Sequence, residues 1–148
     1  MPNNTVGEWV RYARNNIESA IREMDRKCNP RLRPYEIILH NCHQSAEKIM
    51  KAYLLSRNGT FPKEHDIRLL RKLCAKLDSD FNRRRMVNHC SYLNMFWNIK
   101  YPDVTVQIDA SEATRGINSA KRIFDFVAEK LNRHIPHSTQ RRHPTDDF

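Results

Sequence analysis

The sequence predicts an all-α fold, a single-domain antiparallel bundle of five helices in up-and-down order. Three observations predict it. Apolar residues recur at helical spacing in five separate stretches of the chain. The chain has only 3 glycines and 7 prolines, too few for the frequent turns of a β-sandwich or barrel. Its length of 148 residues leaves room for one hydrophobic core.

The first two helices are bounded by start and stop signals. Thr5 and Glu8 have the form of a capping box, and the apolar spacing that follows predicts a helix over residues 7–27. A proline-containing stretch then interrupts the helix, because proline disfavours helical geometry in the residue before it. A second helix is expected over residues 35–57, with Gly59 in the position of a left-handed cap.

The third and fourth helices begin at candidate N-caps. Asp66 caps a short third helix that ends near Leu77. Ser79 or Asp80 caps the fourth, whose apolar residues continue to Trp97 before a proline forces extended geometry.

The fifth helix starts at Asp109 and continues to about Leu131. Residues 104–108 alternate in polarity, but a lone strand has nothing to pair with, so we interpret them as loop. The helical domain therefore covers residues 1–133. Residues 134–148 lack periodicity and are predicted to be a disordered tail.

The positive net charge of the chain indicates which kinds of partner it attracts. Lys and Arg total 26 against 17 acidic residues, a net charge of +9, and the charges of the tail cancel. A positive domain attracts nucleic acid or phosphorylated ligands, although the same charge also serves solubility. No apolar run approaches the roughly 20 residues of a membrane span, and the first residues lack a signal peptide. We expect a cytoplasmic protein without membrane contact.

The four cysteines are scattered singly, which predicts free buried thiols. His40, Cys42 and His43 cluster and raise zinc binding as an alternative, but no second ligand pair accompanies them. The sequence also lacks a Gly-rich phosphate loop, G-x-S-x-G and H-E-x-x-H. We expect no metal and no cofactor.

The second helix has an apolar stripe and a polar one. The core stripe consists of Ile38, Cys42, Ser45, Ile49 and Ala52. The opposite side, interpreted from the residues alone as a solvated face, consists of His40, Gln44, Glu47, Lys48 and Lys51.

Residues 43–54 resemble the Q-x-x-E-K-x-x-K-A signature of the HEPN family of small helical bundles. Three further segments match that family in order: Glu8-Trp9 through Ala13, His65-Asp66-Ile67, and Lys100-Tyr101-Pro102-Asp103. The resemblance covers residues 8–131. The last motif usually reads Arg-Tyr-Pro-Asp, and Lys100 keeps the charge without the planar fork of arginine.

The resemblance implies a frequently dimeric five-helix bundle that binds a nucleotide or RNA. Relatives are often encoded beside a minimal nucleotidyltransferase in toxin–antitoxin pairs. A basic face of Lys48, Lys51 and Lys100 would hold phosphate, with hydrogen bonds or stacking from Gln44 and Tyr101. The predicted ligand-binding residues are Gln44, Glu47, Lys48, Lys51, Lys100, Tyr101 and Asp103.

An enzymatic alternative follows from the same resemblance. Many relatives are metal-independent ribonucleases with an Arg-x4–6-His signature, which Arg84 and His89 satisfy, as do Arg83 and His89. The imidazole would move the 2′-hydroxyl proton and the guanidinium would stabilise the charged phosphorane. Five residues of regular helix turn about 140°, however, so a kink or a dimer partner would have to reunite the two side chains. Otherwise the arginines form a solvated basic turn.

Two further hypotheses concern assembly. The chain could act as a protein-interaction adaptor that binds no nucleotide itself. Tyr92, Met95, Phe96 and Trp97 form a wide apolar arc on the fourth helix, which predicts a symmetric homodimer with that helix contributing. A monomer with these aromatics in its core is the competing interpretation.

Overall fold

The fold consists of five α-helices and two turns of 3₁₀ helix. The structure, a computed structural model, describes residues 5–97 and 108–134. The helices are α1 (Val6–Asp25), α2 (Tyr35–Asn58), α3 (Ile67–Leu77), α4 (Arg84–Asn94) and α5 (Ala110–His134). The 3₁₀ turns are Pro30–Leu32 and Ser79–Asn82. The predicted all-α bundle of five helices is confirmed.

Helix α2 lies at the centre of the bundle. Each helix packs against the next along the chain, and α2 also contacts α4 and α5. Gly116 of α5 is buried at the contact with α2, where a Cβ would lie 2.3 Å from Cδ2 of Leu39. Glycine at this position therefore lets α5 approach α2 closely.

Three of the predicted helix boundary signals are confirmed. The Thr5 side chain accepts a hydrogen bond from the Glu8 amide (3.2 Å), and the Glu8 carboxylate accepts one from the Thr5 amide (2.9 Å). Gly59 has a φ of 75°, and its amide donates to the carbonyl oxygen of Leu55 at 2.9 Å. The Asp66 carboxylate accepts hydrogen bonds from amides in the first turn of α3.

The predicted start of the fourth helix is wrong. The Ser79–Asn82 segment forms a 3₁₀ turn, and α4 begins only at Arg84. Phe81 is fully buried and packs edge-on against Phe126 of α5, so the 3₁₀ turn packs against the core through this side chain. The buried Arg71 side chain donates to the Phe81 carbonyl at 3.2 Å and holds the turn from α3. The helix also ends earlier than predicted, at Asn94.

Several predictions lie outside the described residues. They are the loop over residues 104–107, the tail beyond residue 134 and the Lys100-Tyr101-Pro102-Asp103 motif. Within the described ranges, none of the helices combines the length and apolar character that a membrane span requires.

Candidate functional site

The polar side of α2 is largely covered, contrary to the prediction of a solvated face. Glu47 and Lys51 are each 5% exposed, and the other three residues of this side, His40, Gln44 and Lys48, are half-buried. The reason is the central place of α2, together with the loop before α3. Phe61 of that loop packs edge-on against Trp9, with ring centroids 5.1 Å apart, and Nζ of Lys51 lies 5.4 Å from the Phe61 ring centre.

Glu47 is the centre of this buried polar group. Its Oε2 atom lies 2.9 Å from Nζ of Lys51 and 3.0 Å from Nδ1 of His65. Its Oε1 atom lies 3.9 Å from Nδ1 of His43. The carboxylate therefore neutralises Lys51 and ties α2 to the residue before the N-cap of α3.

Lys48 is also engaged inside the bundle. Its Nζ donates to Oδ1 of Asn16 at 2.9 Å, and Nδ2 of Asn16 donates to Oδ1 of Asn41 at 2.8 Å. Burial lowers the pKa of Lys48. Gln44 is half-buried on the same helix. Of the predicted phosphate ligands on α2, both lysines thus have partners within the protein.

A second polar region lies between α4 and α5. His89 is half-buried, and its Nδ1 lies 3.0 Å from Oγ of the buried Ser119. Burial lowers the pKa of His89, and the positive charges of Arg122, Arg115 and Arg85 lower it further. We call Arg85, His89, Arg115 and Arg122 the α4–α5 cationic surface.

Helix periodicity explains why these residues meet. Arg85 precedes His89 by four residues, so both lie on one face of α4. Arg115, Ser119 and Arg122 follow one another at i, i+4 and i+7 along α5 and form a single stripe. Because α4 packs against α5, the two faces come together.

The three arginines carry charge that the described residues leave uncompensated. Arg85, Arg115 and Arg122 are exposed, and none forms a salt bridge with a carboxylate of residues 5–97 or 108–134. Arg115 is held by an aromatic contact: its guanidinium carbon lies 4.0 Å from the centre of the Tyr92 ring. Such a contact orders the guanidinium without neutralising it.

Arg84, the predicted partner of His89, lies on another face of α4. The helix is regular from Arg84 to Asn94, so the expected rotation of about 140° between the two positions holds. The guanidinium that shares the His89 face on α4 is that of Arg85. Arg83 pairs with Asp80 at 3.3 Å.

The i,i+4 spacing of Arg85 and His89 was readable in the sequence. The contribution of Arg115, Ser119 and Arg122 was not, because it depends on which face of α5 meets α4.

The cysteine prediction is confirmed for three positions. Cys42, Cys74 and Cys90 are free and buried, whereas Cys28 is free and half-buried. Burial raises the pKa of Cys42 and of Cys90 to about 12, so both are unreactive thiols at neutral pH. In the part of the chain that the structure describes, no three His, Cys, Asp or Glu side chains group as metal ligands, and the His40–Cys42–His43 cluster is not such a group.

The fold defines a small, all-helical domain with a central second helix and a cationic surface between its last two helices. The HEPN domain family matches residues 6–131, so the chain belongs to the HEPN domain family. This confirms the family resemblance of the sequence motifs.

Two solved structures share the fold. The crystal structure of ST0689, described as an archaeal HEPN homologue, is 22% identical with a TM-score of 0.66, and the match covers 86% of this chain and 98% of that one. The crystal structure of TT1696 from Thermus thermophilus is 26% identical with a TM-score of 0.67, and the match covers 84% of this chain and 97% of that one. A search of curated proteins found no match.

Proposed function

We propose that this HEPN domain binds the phosphates of RNA or of a nucleotide on the α4–α5 cationic surface. The proposal rests on the facing sides of α4 and α5, where the half-buried His89 contacts Ser119 and the exposed Arg85, Arg115 and Arg122 lie on the same two faces. Clustered guanidiniums without carboxylate partners among the described residues create a positive potential, and arginine matches the geometry of phosphate oxygens.

The proposed phosphate site lies on α4 and α5, whereas the sequence predicted it on the polar side of α2. Glu47 neutralises the charge of Lys51, and Nζ of Lys48 donates one of its hydrogen bonds to Asn16. A phosphate at Lys51 would have to compete with the Glu47 carboxylate, and a phosphate at Lys48 would have to reach a half-buried ammonium. Arg85 and Arg122 are exposed and form no salt bridge with a carboxylate of the described residues.

A binding experiment with charge-matched variants tests the proposal. The probe is a short, fluorescently labelled single-stranded RNA, measured by anisotropy over a range of salt concentrations. The site variant combines Arg85→Gln, Arg115→Gln and Arg122→Gln. The control removes three exposed cations elsewhere, on α1, the first 3₁₀ turn and α3: Arg22→Gln, Arg31→Gln and Lys72→Gln.

We expect the site variant to lose more than about tenfold in affinity, since hydrogen bonds to charged groups contribute about 1.5–3 kcal/mol each. Its log–log salt slope should fall by about 2, which is about 0.7 for each lost phosphate contact on a single strand. The control should lose far less. Equal losses in both variants, or no saturable binding by the unmodified protein at low salt, would contradict the proposal.

A second candidate is a metal-independent endoribonuclease, which the contact between His89 and Ser119 favours. An imidazole whose pKa is lowered by burial and by nearby arginines is neutral at pH 7 and able to accept a 2′-hydroxyl proton. The guanidinium that stabilises the charged phosphorane would then belong to Arg85, Arg115 or Arg122 rather than to Arg84. This candidate is supported if the unmodified protein cleaves RNA and His89→Ala does not. Equal cleavage by both proteins would contradict it.

A homodimer through the α4 side is a further proposal. Met95 and Trp97, just after α4, are 67% and 44% exposed, while Tyr92 and Phe96 are buried in the core. Exposed Met and Trp are typical of interfaces. Light scattering at micromolar concentration should give about twice 17.6 kDa. A mass near that of the monomer would contradict the homodimer proposal.

The family resemblance also supports a cytoplasmic role beside a minimal nucleotidyltransferase in a toxin–antitoxin pair. Beside such a nucleotidyltransferase, the chain would act either as the RNA- or nucleotide-binding module proposed above or as a protein-interaction adaptor that binds no nucleotide. Co-expression with a candidate nucleotidyltransferase separates the two: a complex that forms equally well with the site variant above supports the adaptor, and a complex that needs RNA supports the binding module.

A further inference from the structure

His89 contacts α5 at a serine that lies between two arginines of that helix. Ser119, which contacts His89, stands four residues after Arg115 and three before Arg122. At a rise of 1.5 Å per residue, the two arginine positions are about 10.5 Å apart along α5 with Ser119 between them. Along α5, one arginine position therefore lies on each side of the serine that contacts the imidazole.

Ser119 contacts one of the two ring nitrogens of His89 and leaves the other without that contact. Its Oγ lies 3.0 Å from Nδ1, and the serine is only 3% exposed. A histidine whose Nδ1 is held by the protein has a fixed ring orientation, and its Nε2 is the nitrogen left for a ligand. Because Ser119 lies in the middle of the 25-residue α5, a rigid element holds this contact.

We infer that Ser119 is a positioning residue that holds His89 with Nε2 toward the ligand, and that Arg115 and Arg122 bind successive phosphates on either side of it. The inference rests on the proposed function and specifies its ligand. A chain with two or more phosphates satisfies both arginines, whereas a mononucleotide reaches one. The ligand class is therefore an oligonucleotide strand that lies across the α4–α5 cationic surface.

The contact between Tyr92 and Arg115 holds the Arg115 guanidinium in place before a ligand binds. The Tyr92 hydroxyl donates to the carbonyl oxygen of Glu112 at 2.9 Å, so the ring is fixed between α4 and α5. The Arg115 guanidinium lies over that ring. An ordered guanidinium loses less conformational entropy when it binds phosphate.

The role of Ser119 is tested by NMR on the full chain. The imidazole ¹⁵N shifts of His89 report its tautomer and its titration midpoint, which a serine with only a packing role would leave unchanged. The variants are Ser119→Ala and, as a matched control, Ser91→Ala, an exposed serine of α4. Thermal unfolding of each variant verifies that it is folded.

We expect the unmodified protein and the control to share one tautomer ratio and one titration midpoint for His89, and Ser119→Ala to differ from them in both. The affinity of Ser119→Ala for RNA at pH 7 should fall several-fold. An unchanged tautomer ratio and midpoint in Ser119→Ala would overturn the positioning role, whether or not RNA binds.

The placement of phosphates on both sides of His89 is tested with RNA oligomers of one to four nucleotides. The variants are Arg115→Gln and Arg122→Gln. The control is Lys121→Gln, which removes an exposed cation from another face of the same helix. Affinities are measured at several salt concentrations.

Each arginine variant should lose about tenfold in affinity for the longer oligomers and less than about threefold for the mononucleotide, with a salt slope lower by about 0.7. The control should match the unmodified protein. Equal losses for all lengths, or a loss in only one of the two arginine variants, would overturn the arrangement while the proposed function stands. If the unmodified protein binds none of the oligomers, the proposed function itself fails.

Discussion

Glu47 and Lys51 form a buried ion pair one turn apart on α2. Oε2 of Glu47 lies 2.9 Å from Nζ of Lys51, and each side chain is 7% exposed. The same oxygen lies 3.0 Å from Nδ1 of His65, which precedes α3. The sequence motif that resembles a ligand-binding signature thus also fastens the second helix to the third.

Removal of Glu47 should destabilise the fold strongly. Glu47→Gln leaves the Lys51 ammonium buried without a counter-charge, and loss of one partner of a buried pair costs about 3–5 kcal/mol. Urea unfolding measures the change. The double variant Glu47→Gln, Lys51→Met should recover much of the loss, because it removes the unpaired charge. A loss below about 1 kcal/mol in the single variant would contradict a structural role for the pair.

His43 should make the fold sensitive to acid. Burial lowers its pKa from the ordinary 6.5 to about 4, and neither ring nitrogen has a hydrogen-bond partner among the described residues. The unfolded chain therefore takes up a proton at a higher pH than the folded chain. The free energy of unfolding should fall as the pH drops from about 6.5 to about 4, by as much as about 3 kcal/mol.

The control for this effect is His43→Gln, which does not titrate. Chemical unfolding of both proteins at pH 7 and at pH 4 isolates the contribution of His43 from that of the carboxylates. The unmodified protein should lose more stability than the variant over this interval. Equal losses would show that His43 is protonated in the folded state as readily as in the unfolded chain.

Much of the fold was predictable because local signals dominate it. The Thr5–Glu8 capping box, Gly59 and Asp66 act within a few residues of their own positions, and the structure confirms each. The start of α4 was not predictable in this way. The tertiary burial of Phe81 favours a 3₁₀ turn where the local capping signals favour a helix.

Lys130 should stabilise the turn before α4. Its Nζ lies 2.9 Å from Oδ2 of Asp78 and also contacts Oδ2 of Asp80. Lys130→Met removes the cation that both carboxylates share, and we expect a loss of about 1–3 kcal/mol, the range for hydrogen bonds to charged groups. Urea unfolding measures it. Lys121→Met, an exposed lysine of the same helix, should change stability by less than about 0.5 kcal/mol. Similar effects in the two variants would mean that the turn does not depend on Lys130.

The candidate site was predictable only in part, for a physical reason. Motif spacing identified His89, because a histidine and its neighbouring arginines are visible in the sequence. Whether a lysine of α2 is exposed depends on what covers it, and the Phe61 loop lies over Lys51. Likewise, Ser119 is 30 residues from His89 and meets it only through the packing of α5 on α4.

RNA binding on the α4–α5 cationic surface is tested by chemical-shift mapping of the full, ¹⁵N-labelled chain. The chain is titrated with a short single-stranded RNA at low salt, and each residue's shift is followed. The titration compares the α4–α5 cationic surface with the α2 face in one measurement. We expect the saturable shift changes to concentrate on residues around Arg85, His89, Arg115 and Arg122. Changes concentrated around Gln44 and Lys48, or no saturable changes anywhere, would contradict it.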